Sequence, residues 1–307
     1  MPRSRFGAQL RHPVLWVVVA AILWGFSALA AEELFRNHGV AALWLVAARV
    51  IGTAVLLALF VGPARTRRAL GRLTARRGEA VRIALFGVVA LDGVQLTFFL
   101  AVQHGNAISA TLLQFTSPLF ILALVSFNSR RAPAATVAVT VSAAVAGVVL
   151  VVTGGTFTQL HIPLAGLAWG VLCALFTAGY NLAPGPMLAR HDPNMVVAGA
   201  FLAGGAVLLP SLFIAAPRNM DASGIALVAF VVVGGTAVPF LLYLSALSRV
   251  DALSANVVGT LEPLAAAAGS VALLGTRITW ALGLGVVLVL GAITAVSVTR
   301  ARERAAS

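Results

Sequence analysis

Long apolar runs of about 20 residues, separated by short polar clusters, dominate this chain, and that is the length an α-helix needs to cross a bilayer core. The windows give ten runs, at residues 14–31, 40–62, 83–103, 107–127, 134–153, 163–183, 194–216, 224–247, 252–274 and 280–299. They predict an all-α integral membrane protein with ten transmembrane helices. Two stretches repeat. Phe98 to Leu119 and Tyr243 to Leu264 align at an offset of 145 residues, with Ala101 matching Ala246, Ala107 matching Ala252, and Ser117-Pro118-Leu119 set against Glu262-Pro263-Leu264. Each copy carries a proline inside an apolar run, where it removes a backbone donor and frees the carbonyl one turn earlier.

With an odd five runs in each copy, the second copy enters the bilayer from the opposite side. The expected architecture is therefore two inverted five-helix repeats, residues 14–153 and 163–299. A cytoplasmic N-terminal segment, 1–13, and a cytoplasmic tail, 300–307, flank them. Inverted repeats with matched helix breaks are a transporter signature, with the solute site near mid-depth where the halves meet.

Composition agrees: 60% of the 307 residues are hydrophobic, only 10% are charged, and mean hydropathy is +1.01. A soluble domain carries roughly a quarter charged residues. All 21 basic residues are arginine. With both termini placed inside, seventeen of them fall on the cytoplasmic side and only Arg36, Arg218 and Arg277 on the other, with Arg49 inside the second run. That asymmetry is the positive-inside pattern, with both termini on the cytoplasmic side. The net charge of +12 is spread over loops facing one leaflet, where it meets anionic lipid headgroups. It forms no patch interleaved with aromatics, so nucleic acid is not an expected partner. Pro63 to Arg82 holds the densest arginine cluster, either a solvated orienting loop or a helix lying on the membrane surface.

An amino-terminal signal peptide is the competing reading of Arg3, Arg5 and Arg11 ahead of an apolar run ending near Ala28-Leu29-Ala30. The run from Val14 to Ala31 is longer than a signal core, and its removal would unbalance the repeat. No cofactor is expected. The five histidines are scattered without ligand spacing, so no metal site is predicted either, and the one cysteine, Cys173, sits in an apolar run.

At this point the chain resembles the drug/metabolite transporter superfamily, in particular the EamA-type bacterial exporters. The resemblance rests on Leu23-Trp24-Gly25, Ala48-Arg49, Ala107-Ile108-Ser109-Ala110 leading to Ser117-Pro118-Leu119, Thr236-Ala237-Val238-Pro239-Phe240, and Glu262-Pro263-Leu264. It departs at Asn128-Ser129 and Gly275-Thr276, where family members commonly carry Gly-Glu. The resemblance implies secondary transport of a small polar metabolite, often outward movement of an amino acid or a related compound. Phe127 to Arg131 and the Glu262-Pro263 region look somewhat like the threonine/homoserine exporter branch.

Ionisable groups inside a span are costly and mark a partner or a wet cavity. Arg49 and Asp92 reach similar depths, roughly 13 Å at 1.5 Å per residue, and Glu262 roughly 15 Å. A buried ion pair between Arg49 and Asp92 stands as one reading and a solute site as the other. Glu262 matches Ser117 in the other copy, and Asp92 matches Ala237, so the scaffold itself requires neither acid. The expected solute site comprises Trp24, Arg49, Asp92, Gln95, Gln114, Asn256 and Glu262. Pro118 and Pro263 provide the helix breaks, and Glu262 or Asp92 is the candidate for a coupling proton. Trp24 also suits packing, Tyr180 suits an interface anchor, and Glu32 with Glu33 suit a solvated outer helix end.

The rival class, a membrane enzyme acting on a lipid or lipid-linked substrate, would need paired acids or an activated nucleophile at one membrane surface. The polar residues here sit at mid-depth instead. Gly166 and Gly170 form one GxxxG, which serves packing within a chain as well as between the chains of a homodimer.

Overall fold

The computed structural model describes residues 13–61, 71, 77–129, 135–156, 160–183, 187, 190, 193–217, 220–247, 250, 258–277 and 279–306. Every regular element among them is helical. Helix α1 (Pro13–Asn37) starts on a proline, whose fixed φ and missing N–H suit a first helical turn. It continues past its predicted end and carries Glu32 and Glu33 with it. Helix α2 (Ala42–Val61) follows. The third run is one continuous stretch made of α3 (Arg77–Leu85), a π-helical segment (Phe86–Leu91) and α4 (Asp92–His104). The fourth run is broken into α5 (Ala107–Gln114) and α6 (Ser117–Ser129). Then come α7 (Ala135–Thr153), α8 (Leu164–Leu182) and α9 (Pro193–Leu208), with the short α10 (Ser211–Ile214) beyond a turn at Leu209-Pro210. Helix α11 (Ala222–Val232) runs through a second π-helical segment (Val233–Ala237) into α12 (Val238–Leu247). Helices α13 (Leu261–Leu274) and α14 (Trp280–Ala306) complete the set.

Six of these stretches are long and apolar enough to cross a membrane: Pro13–Asn37, Ala42–Leu59, Arg77–His104, Ala107–Leu124, Leu164–Leu182 and Ala222–Tyr243. Four shorter apolar helices, Val139–Thr153, Met195–Leu208, Leu261–Leu274 and Trp280–Ala295, fall in the other four predicted windows.

Apolar attraction does not drive helices together in lipid, so close approach depends on small side chains. A Cβ on Gly25 of α1 would come 2.5 Å from the Glu262 carbonyl oxygen on α13, so only glycine fits there. Gly170 of α8, 145 positions later, is also closely packed, there against the Leu113 side chain of α5. The helix pairs also recur. Helix α4 packs on α8 as α12 packs on α1, α5 packs on α8 as α13 packs on α1, and α7 packs on α14. Phe99, Phe201, Leu34 and Leu45 are fully enclosed in the main core.

Polar staples close one end of the molecule. Asn106 caps α5 by accepting from the Ser109 amide, and Asp221 caps α11 by accepting from Gly224. Glu32 Oε2 accepts from the Ala107 amide at 2.7 Å, and its Oε1 pairs with Arg36 at 2.7 Å. Gln103 accepts from the Ala42 amide, and His38 meets Asp221 at 3.1 Å. Glu32 is therefore 2% exposed, not a solvated helix end, because α1 carries it beneath the start of α5.

Candidate functional site

Both π-helical segments re-aim one side chain towards the helix interface. In the first, the Asp92 amide donates to Gly87 O, a five-residue step, and in the second Val238 donates to Val233 O. The wider turn absorbs an extra residue, which is why such segments gather at functional positions. Thr236 follows the same geometry, its Oγ1 donating to Val231 O at 2.8 Å. Because α12 begins at Val238, Pro239 passes without a break, its missing N–H falling just beyond the widened turn.

Arg49 of α2 is 5% exposed. Its Nε donates to Thr236 Oγ1 at 2.9 Å, its guanidinium lies 4.7 Å from the centre of the Phe99 ring, and its charge interacts with that of Glu262 on α13. A planar cation held by a hydroxyl and an aromatic face, within electrostatic reach of an acid, is fixed in orientation as a lysine would not be. Glu262 is half-buried, at the start of α13 beside Pro263, and its charge also reaches Cys173 of α8. Helices α2, α4, α8 and α13 and the second π-helical segment thus converge on one polar point.

Asp92 does not join it. No hydrogen bond or ion pair to Arg49 forms. Both carboxylate oxygens are buried without a hydrogen-bond partner among the described residues, and they lie directly against the backbone of Gly204 on α9. The ion-pair reading of Arg49 with Asp92 is accordingly replaced by Arg49 with Thr236 and Glu262. Gln95 is buried one turn beyond Asp92.

The breaks fall at the prolines. Helix α5 stops at Gln114, Phe115 and Thr116 form a turn, and α6 restarts at Ser117 one residue before Pro118. Thr116 Oγ1 caps Leu113 O at 2.6 Å and Leu119 N bonds Thr116 O, while Pro118 leaves Gln114 O without its usual helical donor. At the matching place Thr260 precedes α13, and Pro263 does the same to Gly259 O. Asn256 lies outside the described residues.

Trp24 packs rather than standing alone. Its ring centre is 5.7 Å from Phe240 and 5.5 Å from Tyr243, and Phe240 in turn meets Phe201 at 5.3 Å. Tyr180 stacks on Phe86 at 5.2 Å. A groove of about 930 Å³ runs between α3 and α8, walled by Ile83, Val89, Leu175 and Phe176 with Glu79, Arg82 and Arg190 at its rim. None of the expected solute-site residues lines it. Among described residues no cluster of three or more metal-ligating side chains forms. Sequence reading missed Thr236, Phe99 and Gly204. A lone threonine after Gly234-Gly235 in an apolar run was the available signal for the first, and nothing in the sequence marks the other two.

The EamA-like transporter family model matches this chain over residues 12–153 and 164–298. The chain belongs to the EamA-like transporter family. It is 32% identical over 299 residues to the uncharacterized inner membrane transporter YicL of Salmonella typhimurium, covering 96% of this chain and 99% of that one. It is 30% identical over 282 residues to the threonine/homoserine exporter RhtA of Escherichia coli K12, at 91% and 89% coverage. A probable terminal-alkyne amino-acid exporter of Streptantibioticus cattleyicolor matches at 30% identity over 206 residues, 66% of this chain and 65% of that protein. One crystal structure shares the fold with a TM-score of 0.63 at 20% identity, covering 94% of this chain and 98% of its own. This EamA-family chain is a membrane transporter and not an enzyme.

Proposed function

We propose that this transporter is an inner-membrane exporter of an amino acid or a closely related zwitterion, working by alternating access between two inverted five-helix repeats. The observation that carries the reading is the meeting of Arg49 from the first half with Thr236 and Glu262 from the second. A fixed cation beside an acid matches the carboxylate and ammonium of an amino acid. The free carbonyls of Gln114 and Gly259 add acceptors on either side, and Gln95 and Asn256 complete the set. Trp24, with Phe240 and Tyr243, forms the aromatic wall that closes over the apolar part of the solute. The relatives named as exporters of threonine, homoserine and an alkyne amino acid support this solute class.

The two matched family segments, the recurrence of helix pairs and the two π-helical segments, whose starts at Phe86 and Val233 lie 147 residues apart, support the duplication. The arginine asymmetry supports both termini on the cytoplasmic side.

Reconstitution in vesicles tests the function. Wild-type protein should move radiolabelled L-threonine or homoserine without altering it, faster with a proton gradient than without. Absence of flux for these and a panel of other amino acids overturns the reading. Unchanged gradient dependence in Glu262→Gln removes Glu262 from the coupling step.

A further inference from the structure

Two acids are available for a coupling proton, and the structure treats them differently. Glu262 shares its surroundings with Arg49. Asp92 is 6% exposed, and neither oxygen has a donor among the described residues. An ionised carboxylate buried without donors or a cation is far less stable than the same group as a neutral acid.

We propose that Asp92 is the proton-carrying residue of this transporter, held as a neutral carboxylic acid where α9 packs over it, while Arg49 and Glu262 are left to the solute. The idea rests on the exporter reading for its role in coupling, and on geometry for its charge state.

Among residues described on the helices packed against this part of the chain, few groups can compensate a charge on Asp92. Helix α9 brings none at all from Met195 to Leu208. Helix α8 brings Cys173, bonded to Val94 O, and Tyr180, stacked on Phe86. Helix α2 brings Arg49, whose Nε is on Thr236. Helix α1 brings Glu32, Glu33 and Arg36 at its far end, with Glu32 engaged by Ala107 and Arg36. Helix α3 brings Arg77, Glu79 and Arg82, roughly 15 Å or more away along the helix at 1.5 Å per residue.

The contact with Gly204 supplies the mechanical link. No atom larger than hydrogen fits at Gly204 beside the carboxyl group, so the acid is sealed as long as α9 stays in place. Withdrawal of α9 would admit water, the O–H proton would leave to that water, and the carboxylate would remain. Its return to the sealed position requires a proton from the water on whichever side is then open. Asp92 stands at the boundary of the first π-helical segment, whereas the corresponding boundary of the second carries Val238, so the fold itself requires no acid there.

Infrared difference spectroscopy on the full-length protein in lipid tests this without knowledge of the solute. A protonated-carboxyl C=O band should be present at neutral pH, vanish at alkaline pH, shift when aspartate is carbon-13 labelled at the side-chain carbonyl, and be missing from Asp92→Asn. The other aspartates, Asp192, Asp221 and Asp251, fall between the predicted runs. The isotope shift in wild type therefore decides the matter even if Asp92→Asn fails to fold. A band that shifts only with labelled glutamate, or no band at all, overturns the proposal. Failure of the exporter reading would show separately, as absence of solute flux in wild-type vesicles. If solute moves, Asp92→Asn should keep solute exchange and lose acceleration by a proton gradient, whereas retained acceleration overturns the coupling role.

Discussion

Arg49 makes contacts that depend on the shape of its head group as much as on its charge. The Nε bond to Thr236, the face placed on Phe99 and the interaction with Glu262 cannot all be made by an ammonium. Arg49→Lys should therefore lower vesicle flux nearly as far as Arg49→Gln, by about tenfold or more for an interaction of about 1.5–3 kcal/mol. Recovery of wild-type flux by lysine would reduce Arg49 to a point charge. At the polar end, Asp221 makes a different prediction. The Gly224 amide bond, then the Ser223 hydroxyl and the neighbouring His38, hold its carboxyl below the usual aspartate range. A depressed folded pKa adds stability above the unfolded value and loses it as pH falls through the folded value. Acidification below the ordinary aspartate range should lower the melting temperature of wild type in detergent, and Asp221→Asn should weaken that acid dependence. An identical acid limb in both would remove Asp221 from it. Arg49, Asp92 and Glu262 were legible in the sequence because charge inside an apolar run is conspicuous. Of their partners, Thr236 stands in a segment that carries the family resemblance but nothing there assigns it a contact, and Phe99 and Gly204 are ordinary residues for a membrane helix that only packing reveals.

At the level of helices, periodicity and proline placed most of the elements. The break at Phe115-Thr116 sits where Pro118 demands it, and Pro263 has its counterpart at Thr260. The π-helical segments left no trace in the sequence, because a five-residue hydrogen-bond step requires no special residue type. Pro239 lies in a continuous helical stretch, just past the second of these segments. Helix α13 ends on Gly275 at φ 65°, with Thr276 N bonded back to Ser270 O, a left-handed cap that suits glycine. That cap stands where the resemblance expected Gly-Glu, so the glycine keeps its structural task although the acid is absent. Helix contacts also sort the glycines. Gly25 faces the α13 backbone, whereas Gly179 on α8 has nothing within 4 Å of a built Cβ. Gly25→Ala should destabilise by about 1–3 kcal/mol, the usual cost of overpacking. Gly179→Ala should be neutral or stabilising by about 0.5–1 kcal/mol, since glycine weakens a helix interior. Thermal unfolding in detergent reads both, and equal melting temperatures for the two variants would mean that α1 and α13 are not pressed together as described.

The whole molecule is constrained by two contacts far apart in sequence. His38 meets Asp221 and Arg190 approaches Glu79 at 3.8 Å, so each pair shares one end of the bundle. Helix α2 runs between residue 38 and residue 79, and α9 between residue 190 and residue 221, so the two pairs belong at opposite ends if each of these helices crosses the membrane. The arginine asymmetry predicts that residues 79 and 190 face the cytoplasm together. Topology can be tested cleanly because the one cysteine, Cys173, is fully buried. Single cysteines introduced at His38 and Asp221 should react with an impermeant maleimide on intact cells. Those at Glu79, Arg190 and Ser307 should react only after permeabilisation. The proposed inversion of the second half predicts more than two faces. Position 38 follows one crossing of the first half, and its 145-residue counterpart, Ala183, follows one crossing of the second, so Ala183→Cys must react from the side opposite to His38→Cys. Labelling of positions 38 and 183 from the same side would mean that the halves are parallel. The proposed alternating-access site between inverted repeats would then have no basis, whatever the contacts of Arg49.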